Sequence, residues 1–304
     1  MLNRIAKRKI NGILLVDKHS GLSSNDMLQK VKRLLNAEKA GHTGSLDPIA
    51  TGMLPLCLGE ATKFSQFLLD SDKHYYVTAK LGKKTATGDT EGEVVVERSF
   101  AHVTRERLEN VMRPFYGKVE QIPPMYSALK HKGKPLYELA RKGIEVEREP
   151  RQIHIHSLQL DSFEGDTFSF SIHCSKGTYV RTLVDDIGEL LDCGAHVYQL
   201  RRTAVAPYTS FPMYKLEVLE DIYQKEGIDG LTKLLLPIET SVAGFPSVML
   251  STSAAFYIRM GQPVRVTNAP PKGLVRLMIG DEQKFLGMGE MLEDYRVKPK
   301  RMVV

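Results

Sequence analysis

The stretch from Gly41 to Gly52, Gly-His-Thr-Gly-Ser-Leu-Asp-Pro-Ile-Ala-Thr-Gly, constrains this chain more than any other part of it. Its glycines permit backbone angles and close approaches that other residues cannot make. Pro48 fixes its own φ and biases the preceding Asp47 towards an extended conformation. The pattern predicts a rigid loop that holds one carboxylate, Asp47, among polar neighbours. The alternative is an ordinary surface turn, because Gly, Asp, Pro and Ser are the usual turn residues.

Regular elements are predicted on both sides of this loop. The apolar run from Asn11 to Asp17 predicts a buried strand, and apolar residues at a 3.6-residue spacing predict a helix capped by Ser23 or Ser24. After the loop, Lys73 to Leu81 alternates with a period of two, which places Tyr75 on the core side of a strand. A buried tyrosine hydroxyl needs a hydrogen-bond partner, so Tyr75 is either a core residue or part of a site.

A second group of elements carries an arginine in a notable position. Gln152 to Leu160 and Thr167 to Cys174 alternate and predict a strand pair, which is followed by a helix with Arg181 in its first turn. Arg181 has two alternative interpretations. It pairs with Asp185 four residues later, or it holds an anion or a carboxylate at the junction between strand and helix.

The chain length indicates about two domains. A strand is predicted from Ala195 to Val205, and the composition changes at Pro246. The short strands and glycine-rich turns beyond Pro246 suggest a small β-barrel. We therefore expect one domain over residues 1–246 and a second over residues 247–304.

Composition limits the class of protein. Hydrophobic residues make up 42% and charged residues 26%, a balance typical of soluble globular proteins. The basic N-terminus has no apolar segment behind it, and the three cysteines lie far apart, so we expect no signal peptide and a cytoplasmic, reducing location. The net charge of +6 and the pI near 9.0 suggest a polyanionic partner.

No common cofactor motif is present. The sequence contains neither a dinucleotide-binding glycine pattern nor a phosphate loop, and its histidines and cysteines show no metal-ligand spacing. A lone carboxylate that is ionised at neutral pH can act as a nucleophile or as an electrostatic stabiliser. This points to chemistry at an electrophilic ring or sugar carbon without a cofactor or a metal.

The segment from Lys130 to Lys142 combines five basic residues with Tyr137 and a single acid. It is predicted as a mobile basic excursion from the domain. A solvated loop is the simpler interpretation. Basic residues alternating with tyrosine fit RNA contact better, because cations position phosphates and aromatic rings stack on bases.

Several motifs, in one order along the chain, resemble the TruB family of bacterial tRNA pseudouridine-55 synthases. The Asp47 loop, continued as Met-Leu-Pro, resembles the family's catalytic motif. The other matching segments are Asn-Gly-Ile-Leu-Leu-Val-Asp-Lys near the start, Ser-Asp-Lys-His-Tyr at 71–75, Gln-Ile-Pro-Pro-Met-Tyr-Ser-Ala-Leu-Lys at 121–130, Cys-Ser-Lys-Gly-Thr-Tyr-Val-Arg-Thr at 174–182, and Leu-Arg-Arg at 200–202. The C-terminal segment resembles a PUA domain.

The resemblance implies an α+β fold with a mixed, largely antiparallel sheet flanked by helices, followed by a small PUA-like β-barrel. The implied reaction isomerises uridine to pseudouridine in the T-arm loop of tRNA, at position 55. The N1–C1′ bond breaks, the uracil turns while it is held, and a C5–C1′ bond forms. No redox cofactor, metal or ATP is implied, and neither is an obligatory protein partner, so a monomer acting on tRNA is expected.

The resemblance also implies roles for single residues. Asp47 resembles the catalytic aspartate, which attacks C1′ of the sugar or C6 of the uracil, or assists formation of a glycal. Tyr75 resembles the tyrosine that packs against the base and takes part in proton removal at C5. Arg181 resembles the arginine that pairs with the aspartate and keeps it ionised and oriented.

Substrate contacts follow from the same resemblance. The target uracil must leave its stack before Asp47 can reach it, and His42 resembles the histidine that fills the vacated space. Tyr179 and Leu200 resemble residues that line the uracil pocket. The region of about residues 124–150 resembles the family's RNA-clamping insertion. The implied phosphate or supporting contacts are Lys18, Lys130, Lys132 and Arg202.

Three alternatives remain at this point. The first is a non-catalytic tRNA-binding or tRNA-folding protein of the same fold, although a pure binder has no need of a carboxylate near phosphates. The second is an RNA-guided relative that acts only with partner proteins, although the chain lacks long basic extensions. The third is a glycoside or nucleoside hydrolase, although such enzymes usually place two carboxylates across the bond.

Overall fold

The computed structural model describes residues 6–267 and 269–304. The first five residues of the basic N-terminus, which bear on the expected absence of a signal peptide, lie outside the described residues. The α-helices are Ser24–Leu34 (α1), Ser65–Leu69 (α2), Arg105–Met112 (α3), Leu136–Ala140 (α4), Val180–Leu190 (α5), Leu216–Thr232 (α6) and Thr252–Arg259 (α7). Short 3₁₀ helices span Gly59–Phe64, Arg113–Phe115 and Ile238–Val242.

The strands fall into two main sheets and two small ribbons. In chain order they are Gly12–Lys18 (β1), Ala40–His42 (β2), Thr51–Leu58 (β3), Lys73–Leu81 (β4), Lys83–Thr85 (β5), Val94–Glu97 (β6), Gly117–Gln121 (β7), Lys130–His131 (β8), Lys134–Pro135 (β9), Arg151–Glu164 (β10), Thr167–Cys174 (β11), Ala195–Val205 (β12), Tyr214–Lys215 (β13), Ser247–Leu250 (β14), Val264–Arg265 (β15), Gly273–Ile279 (β16), Lys284–Met291 (β17) and Arg296–Met302 (β18).

The large sheet has nine strands, in the order β13-β1-β3-β12-β4-β11-β10-β7, with β2 paired to β3 outside this path. Its pairings are antiparallel except between β1 and β13 and between β3 and β12. This confirms the expected mixed, largely antiparallel sheet. The two strand groups predicted separately from the sequence are neighbours in this one sheet, since β4 pairs with both β11 and β12.

One face of the sheet is covered by helices. On β4 the side chains of Val77 and Ala79 are fully buried, and Phe168 and Phe170 of β11 join them in the same core. Tyr75 is partly buried against this core, as its position in the alternation predicts. Because side chains alternate across a strand, the residues between these positions face the opposite side of the sheet.

The two helices nearest the Asp47 loop begin as the sequence predicts. Ser23 caps α1, and its side chain accepts a hydrogen bond from the Asp26 amide in a capping box. Helix α5 starts immediately after Tyr179, and its buried face includes Leu183 and Val184. The starts of both helices therefore lie beside segments that the sequence marks as functional.

The basic segment 130–142 has more regular structure than the sequence suggests. Strands β8 and β9 form a two-stranded ribbon, and α4 follows directly. The backbone of Leu136 donates to the Leu129 carbonyl, and Leu136 itself is 4% exposed. The segment is thus anchored at Leu136, whereas Lys130, Lys132 and Lys134 are exposed.

The C-terminal region forms a five-stranded sheet with the order β14-β16-β17-β18-β15. This curled sheet, with α7 beside it, is consistent with a PUA-like domain. Strand β14 is not evident in the sequence pattern. The sheet shares an apolar cluster with the N-terminal region, in which the Phe64 and Phe285 ring centroids lie 5.5 Å apart. The division at residue 246 stays a prediction.

Within the described residues, none of the helices combines the length and the apolar character needed to cross a membrane.

Candidate active site

The loop between β2 and β3 is tied down along its length. Ser24 of α1 exchanges hydrogen bonds with the backbone of Leu46, at 2.7 Å to the amide and 3.2 Å to the carbonyl. Gly52 has φ +100°, and a Cβ there would lie 2.2 Å from the carbonyl oxygen of Arg202. Only glycine allows this close approach. The loop that carries Asp47 is therefore a shaped, anchored loop and not an ordinary surface turn.

Two buried cations hold the loop from below. Arg202 is 1% exposed and donates from Nε to the Met53 carbonyl (2.7 Å) and from Nη2 to the Gly44 carbonyl (3.0 Å). Lys18 is fully buried, and its ammonium group donates to the carbonyls of His19, Leu22 and Pro48 at 2.7–3.1 Å. Burial lowers the pKa of Lys18 to about 8, against the opposing attraction of Asp47.

These contacts bear on the two roles expected for Lys18 and Arg202, which are contact with a phosphate and support of the loop. An ammonium group has three protons, and all three of those on Lys18 already have carbonyl acceptors. Neither side chain has surface to offer a phosphate. Both side chains support the loop in this structure, and contact with a phosphate stays a prediction for each of them.

Asp47 and Arg181 form a two-pronged ion pair. Arg181 Nε lies 2.9 Å from Asp47 Oδ2, and Nη2 donates to Oδ1 at 3.3 Å. The Arg181 side chain is 7% exposed, whereas that of Asp47 is 36% exposed. Burial raises the pKa of Asp47 above its ordinary value, and the charges of Arg181 and Lys18 counteract that shift. This two-pronged contact of the Arg181 guanidinium with Asp47, called the fork below, orients the carboxylate and leaves one side of it open.

The other donors of Arg181 are also used. Nη1 donates to the Thr87 carbonyl (2.8 Å) and Nη2 to the Tyr126 carbonyl (2.7 Å), while Asp89 Oδ2 lies 3.7 Å from Nη1. The suggested local pair between Arg181 and Asp185 is wrong, because Asp185 pairs with Lys84 at 3.0 Å. The interpretation that Arg181 holds a carboxylate at a junction between strand and helix is the one that the contacts support.

Asp89 is a buried carboxylate that the sequence reasoning did not single out. It is 2% exposed and lies in the polar turn after β5. Its Oδ1 accepts hydrogen bonds from the Thr87 hydroxyl and from the Glu91 amide. Only the run of Thr, Gly and Asp around this position could have drawn attention to it. The turn supplies a second negative charge beside Arg181.

Tyr75 lies next to the loop support. In the pairing of β4 with β12 it is directly opposite Arg202. Burial raises the pKa of Tyr75, and Arg202 opposes that rise. Leu200, two residues earlier on β12, is 7% exposed. The pairing of β4 with β12 therefore brings Tyr75 and Leu200 to the region of the Asp47 loop.

Tyr179 occupies the position before the first turn of α5, two residues from Arg181. The Gln121 side chain holds its backbone, accepting from the Tyr179 amide at 2.7 Å and donating to its carbonyl at 3.0 Å. Burial raises the pKa of the Tyr179 phenol. Gln121 is another supporting residue that sequence reasoning missed, although it opens the 121–130 motif.

His42 ends β2 at the edge of the loop. Its Nδ1 is buried and has no hydrogen-bond partner among the described residues. Burial and the charge of Arg202 lower the pKa of His42 below its ordinary value, so the ring is neutral at pH 7. A neutral, partly buried imidazole is suited to contact with a base and not to an ion pair with a phosphate.

The expected RNA-clamping residues lie apart from this centre. Lys130 and Lys132 are exposed on the β8–β9 ribbon, and neither forms an ion pair among the described residues. The ribbon connects to the centre through Tyr126, whose carbonyl accepts from Arg181. The arrangement joins one open, oriented carboxylate with aromatic side chains and a nearby basic segment.

Comparisons with known proteins cover nearly the whole chain. Residues 32–180 match the model described as "TruB family pseudouridylate synthase (N terminal domain)". Residues 181–243 match "tRNA pseudouridylate synthase B C-terminal domain", and residues 246–303 match "Pseudouridine synthase II TruB, C-terminal".

Curated relatives are similar over almost their full length. A protein named tRNA pseudouridine synthase B from Coxiella burnetii (strain RSA 493 / Nine Mile phase I) is 54% identical over 300 residues, which cover 99% of this chain and 97% of the relative. A protein of the same name from Yersinia pestis (strain Pestoides F) is 55% identical over 303 residues, covering 98% and 93%.

Solved structures share the fold. A chain from a Cbf5-Nop10-Gar1 complex matches with a TM-score of 0.73 at 25% identity, covering 96% of this chain and 84% of that one. A chain from an H/ACA RNP bound to a substrate RNA containing 2′-deoxyuridine matches with a TM-score of 0.73 at 21% identity, covering 100% and 92%. The second likeness shows the fold alone.

Proposed function

The chain belongs to the TruB family of pseudouridine synthases, and on that premise we propose that it isomerises uridine to pseudouridine at position 55, in the T-arm loop of tRNA. The relatives named tRNA pseudouridine synthase B support tRNA as the substrate. The reaction breaks N1–C1′, turns the uracil in place and forms C5–C1′. The proton lost from C5 is balanced by the one gained at N1, so the substrate and product are isomers.

The observation that carries this proposal is the fork between Arg181 and Asp47. Two donors, at 2.9 and 3.3 Å, fix both carboxylate oxygens and leave 36% of the side chain exposed. Charge-assisted, bidentate contacts orient a carboxylate and favour its ionised form. Attack at C1′, attack at C6 and assistance to a glycal all begin from an ionised, oriented Asp47. We leave these three routes as alternatives.

The surrounding residues provide a place for a flipped uracil. We assign Tyr75 and Tyr179 to packing against the base and Leu200 to an apolar wall of the pocket, because all three lie on elements that converge on the loop. His42, neutral and partly buried, takes the space that the base leaves in the RNA. Filling that space offsets part of the few kcal/mol that unstacking costs.

The basic ribbon supplies the electrostatic part of tRNA binding. Lys130 and Lys132 are exposed and extend from the segment that reaches Arg181 through Tyr126. In this proposal residues 1–246 form the catalytic domain, and residues 247–304 form a PUA-like domain that adds RNA contacts. We propose that the chain acts as a monomer without an obligatory protein partner and that it acts in the cytoplasm, in keeping with a tRNA substrate.

The test is a tritium-release assay. Purified protein is incubated with unmodified tRNA carrying tritium at C5 of uracil, without an added cofactor, beside the Asp47→Asn variant. Wild type should release tritium, and Asp47→Asn should release none while its tRNA affinity stays within about threefold, because the amide keeps the shape but cannot carry the charge. A control transcript with cytidine at position 55 should give no release from that site.

The second candidate, a non-catalytic tRNA-binding protein of the same fold, predicts the opposite result. Tight binding without tritium release would support that candidate. The partly exposed carboxylate of Asp47 disfavours it, because a negative charge at an RNA-binding surface repels phosphate.

A further inference from the structure

A cluster of imidazole rings lies on the face of the large sheet opposite the helix-covered core. His74 of β4 is paired directly with His173 of β11, and their rings stack with centroids 4.0 Å apart and planes 9° apart. His156 of β10 lies 4.5 Å from the His173 ring, and His154 lies 4.3 Å from the His156 ring. The side chain of Asp72, which precedes β4, reaches the same cluster.

Strand β10 has an irregularity at His156, whose ring belongs to this cluster. Ile155 pairs with Cys174 and Ser157 pairs with His173, so His156 is an extra residue without a partner in the ladder. Such a β-bulge bends the strand and redirects a side chain, and it costs local hydrogen bonding. The side chain at this bulge is an imidazole that faces the His173 ring and the Asp72 carboxylate.

Three donor atoms converge. His156 Nε2 is 3.1 Å from Asp72 Oδ2, and His173 Nε2 is 3.7 Å from the same oxygen. One donor atom from each of these three residues lies within 4.8 Å of the other two. His156 Nε2 is buried and makes no hydrogen bond of acceptable geometry with any described group, although it is so close to the carboxylate. A buried nitrogen in this state needs a partner.

The spacing suits a tetrahedral metal ion. Ligands at about 2.0–2.2 Å from zinc lie about 3.4 Å from one another in a tetrahedron. The observed separations from Asp72 Oδ2, 3.1 and 3.7 Å, bracket this value. Two imidazoles and one carboxylate are a borderline-soft ligand set, which favours Zn²⁺ and similar ions over Mg²⁺ or Ca²⁺.

We propose that Asp72, His156 and His173 bind one divalent transition-metal ion of the Zn²⁺ class, with water at the fourth position. The side chains are 30–38% exposed, so the ion can enter from solvent. Bound there, it links β10, β11 and the segment before β4. His74, beside the proposed ion, and Tyr75, in the candidate active site, are consecutive residues whose side chains lie on opposite faces of the sheet. The ion would therefore be separated from the active site by the sheet, so its role is structural.

The alternative ligand for a group of histidines is a phosphate. Asp72 argues against it, since its carboxylate lies within 3.1–3.7 Å of two imidazoles and would repel an anion at the same place. The same carboxylate favours a cation. The proposal does not depend on the reaction at Asp47, and its test uses metal binding as the readout.

The experiment uses the full chain without a histidine tag, freed of metal with a chelator and then dialysed. Zn²⁺ alone is titrated by calorimetry, and Co²⁺ is titrated by its visible absorption, whose intensity reports four-coordinate geometry. We expect one ion per chain. His156→Ala, His173→Ala and the near-isosteric Asp72→Asn should each lower the affinity for the ion at least about tenfold. Tenfold is the lower end of the loss of affinity that follows disturbance of a metal site.

His102→Ala is the matched control, because His102 is exposed and belongs to a different part of the fold. It should bind as wild type does. Circular dichroism checks that the variants fold. If a histidine variant does not fold, the near-isosteric Asp72→Asn still tests the site. Absence of binding to wild type at micromolar Zn²⁺ would overturn the proposal. So would binding that all three variants retain, since the ion would then lie elsewhere.

Discussion

Replacement of Arg181 by lysine isolates the geometry of the fork from its charge. The guanidinium reaches both oxygens of Asp47 and the carbonyls of Thr87 and Tyr126 from one planar group. A lysine ammonium is a compact point charge, so it cannot span acceptors on several sides. Arg181→Lys keeps the positive charge near Asp47 and Asp89 but loses the two-pronged contact.

The expected loss can be worked from these contacts. Lysine keeps one charge-assisted hydrogen bond to Asp47 and loses the other, which is worth about 1.5–3 kcal/mol. At 1.36 kcal/mol per tenfold change in rate, the single-turnover rate should fall about 10- to 150-fold. The affinity for tRNA should change less than about threefold, because a 7% exposed side chain has little surface for RNA.

The assay is single-turnover tritium release from tRNA labelled at C5 of uracil, with filter binding to measure affinity. Arg105→Lys is the matched control: Arg105 pairs with Glu109 at 2.9 Å on the exposed side of α3, and its replacement should leave the rate unchanged. A wild-type rate in Arg181→Lys would refute the argument that the fork positions Asp47. Equal losses of rate and affinity would assign Arg181 to substrate binding instead.

Three further predictions follow from the described contacts. Since burial raises the pKa of Asp47, the single-turnover rate should fall with decreasing pH with a midpoint above the value of about 3.9 for a free aspartate, and a flat profile down to pH 4 would contradict this. Replacing Lys130, Lys132 and Lys134 by glutamine should weaken tRNA binding and lower the slope of log affinity against log salt by up to about three, whereas an unchanged slope would remove the ribbon from the interface. A fragment of residues 1–246 should fold and bind tRNA more weakly, but exposure of the Phe64 face should lower its Tm by roughly 3–12 °C; an unfolded fragment would show that the predicted boundary is wrong.

Much of the fold could be predicted because it follows from local periodicity. The alternation from Lys73 to Leu81 gives both the bounds of β4 and the core-facing position of Tyr75. The run from Ala195 to Val205 likewise gives β12. Strand β14, only four residues long, was missed, because so short a run carries little periodic signal.

Partners of charged residues were harder to predict. Arg181 has a possible partner four residues later, yet its partner is Asp47, 134 residues earlier in the chain. Asp89 and Gln121 support the same centre, but each looks like an ordinary polar residue of a turn or strand end. Lys18 and Arg202 look like surface cations from their residue type, although both are buried under the loop.

The sequence by itself determined the local conformations and the candidate carboxylate. Gly52 and Pro48 limit the backbone of the loop whatever surrounds it, so the residue pattern favoured a shaped loop around Asp47 but left an ordinary surface turn as the alternative. Such constraints act between neighbours in the chain, which is why a linear pattern reveals them.

Only the tertiary structure decided which side chains meet. The pairing of β4 with β12 sets Tyr75 opposite Arg202, and the start of α5 brings Arg181 to Asp47. The pairing of β11 with both β10 and β4 likewise assembles the imidazole cluster. Contacts of this kind depend on strand order and register, which are set by burial of the whole core and not by any single segment.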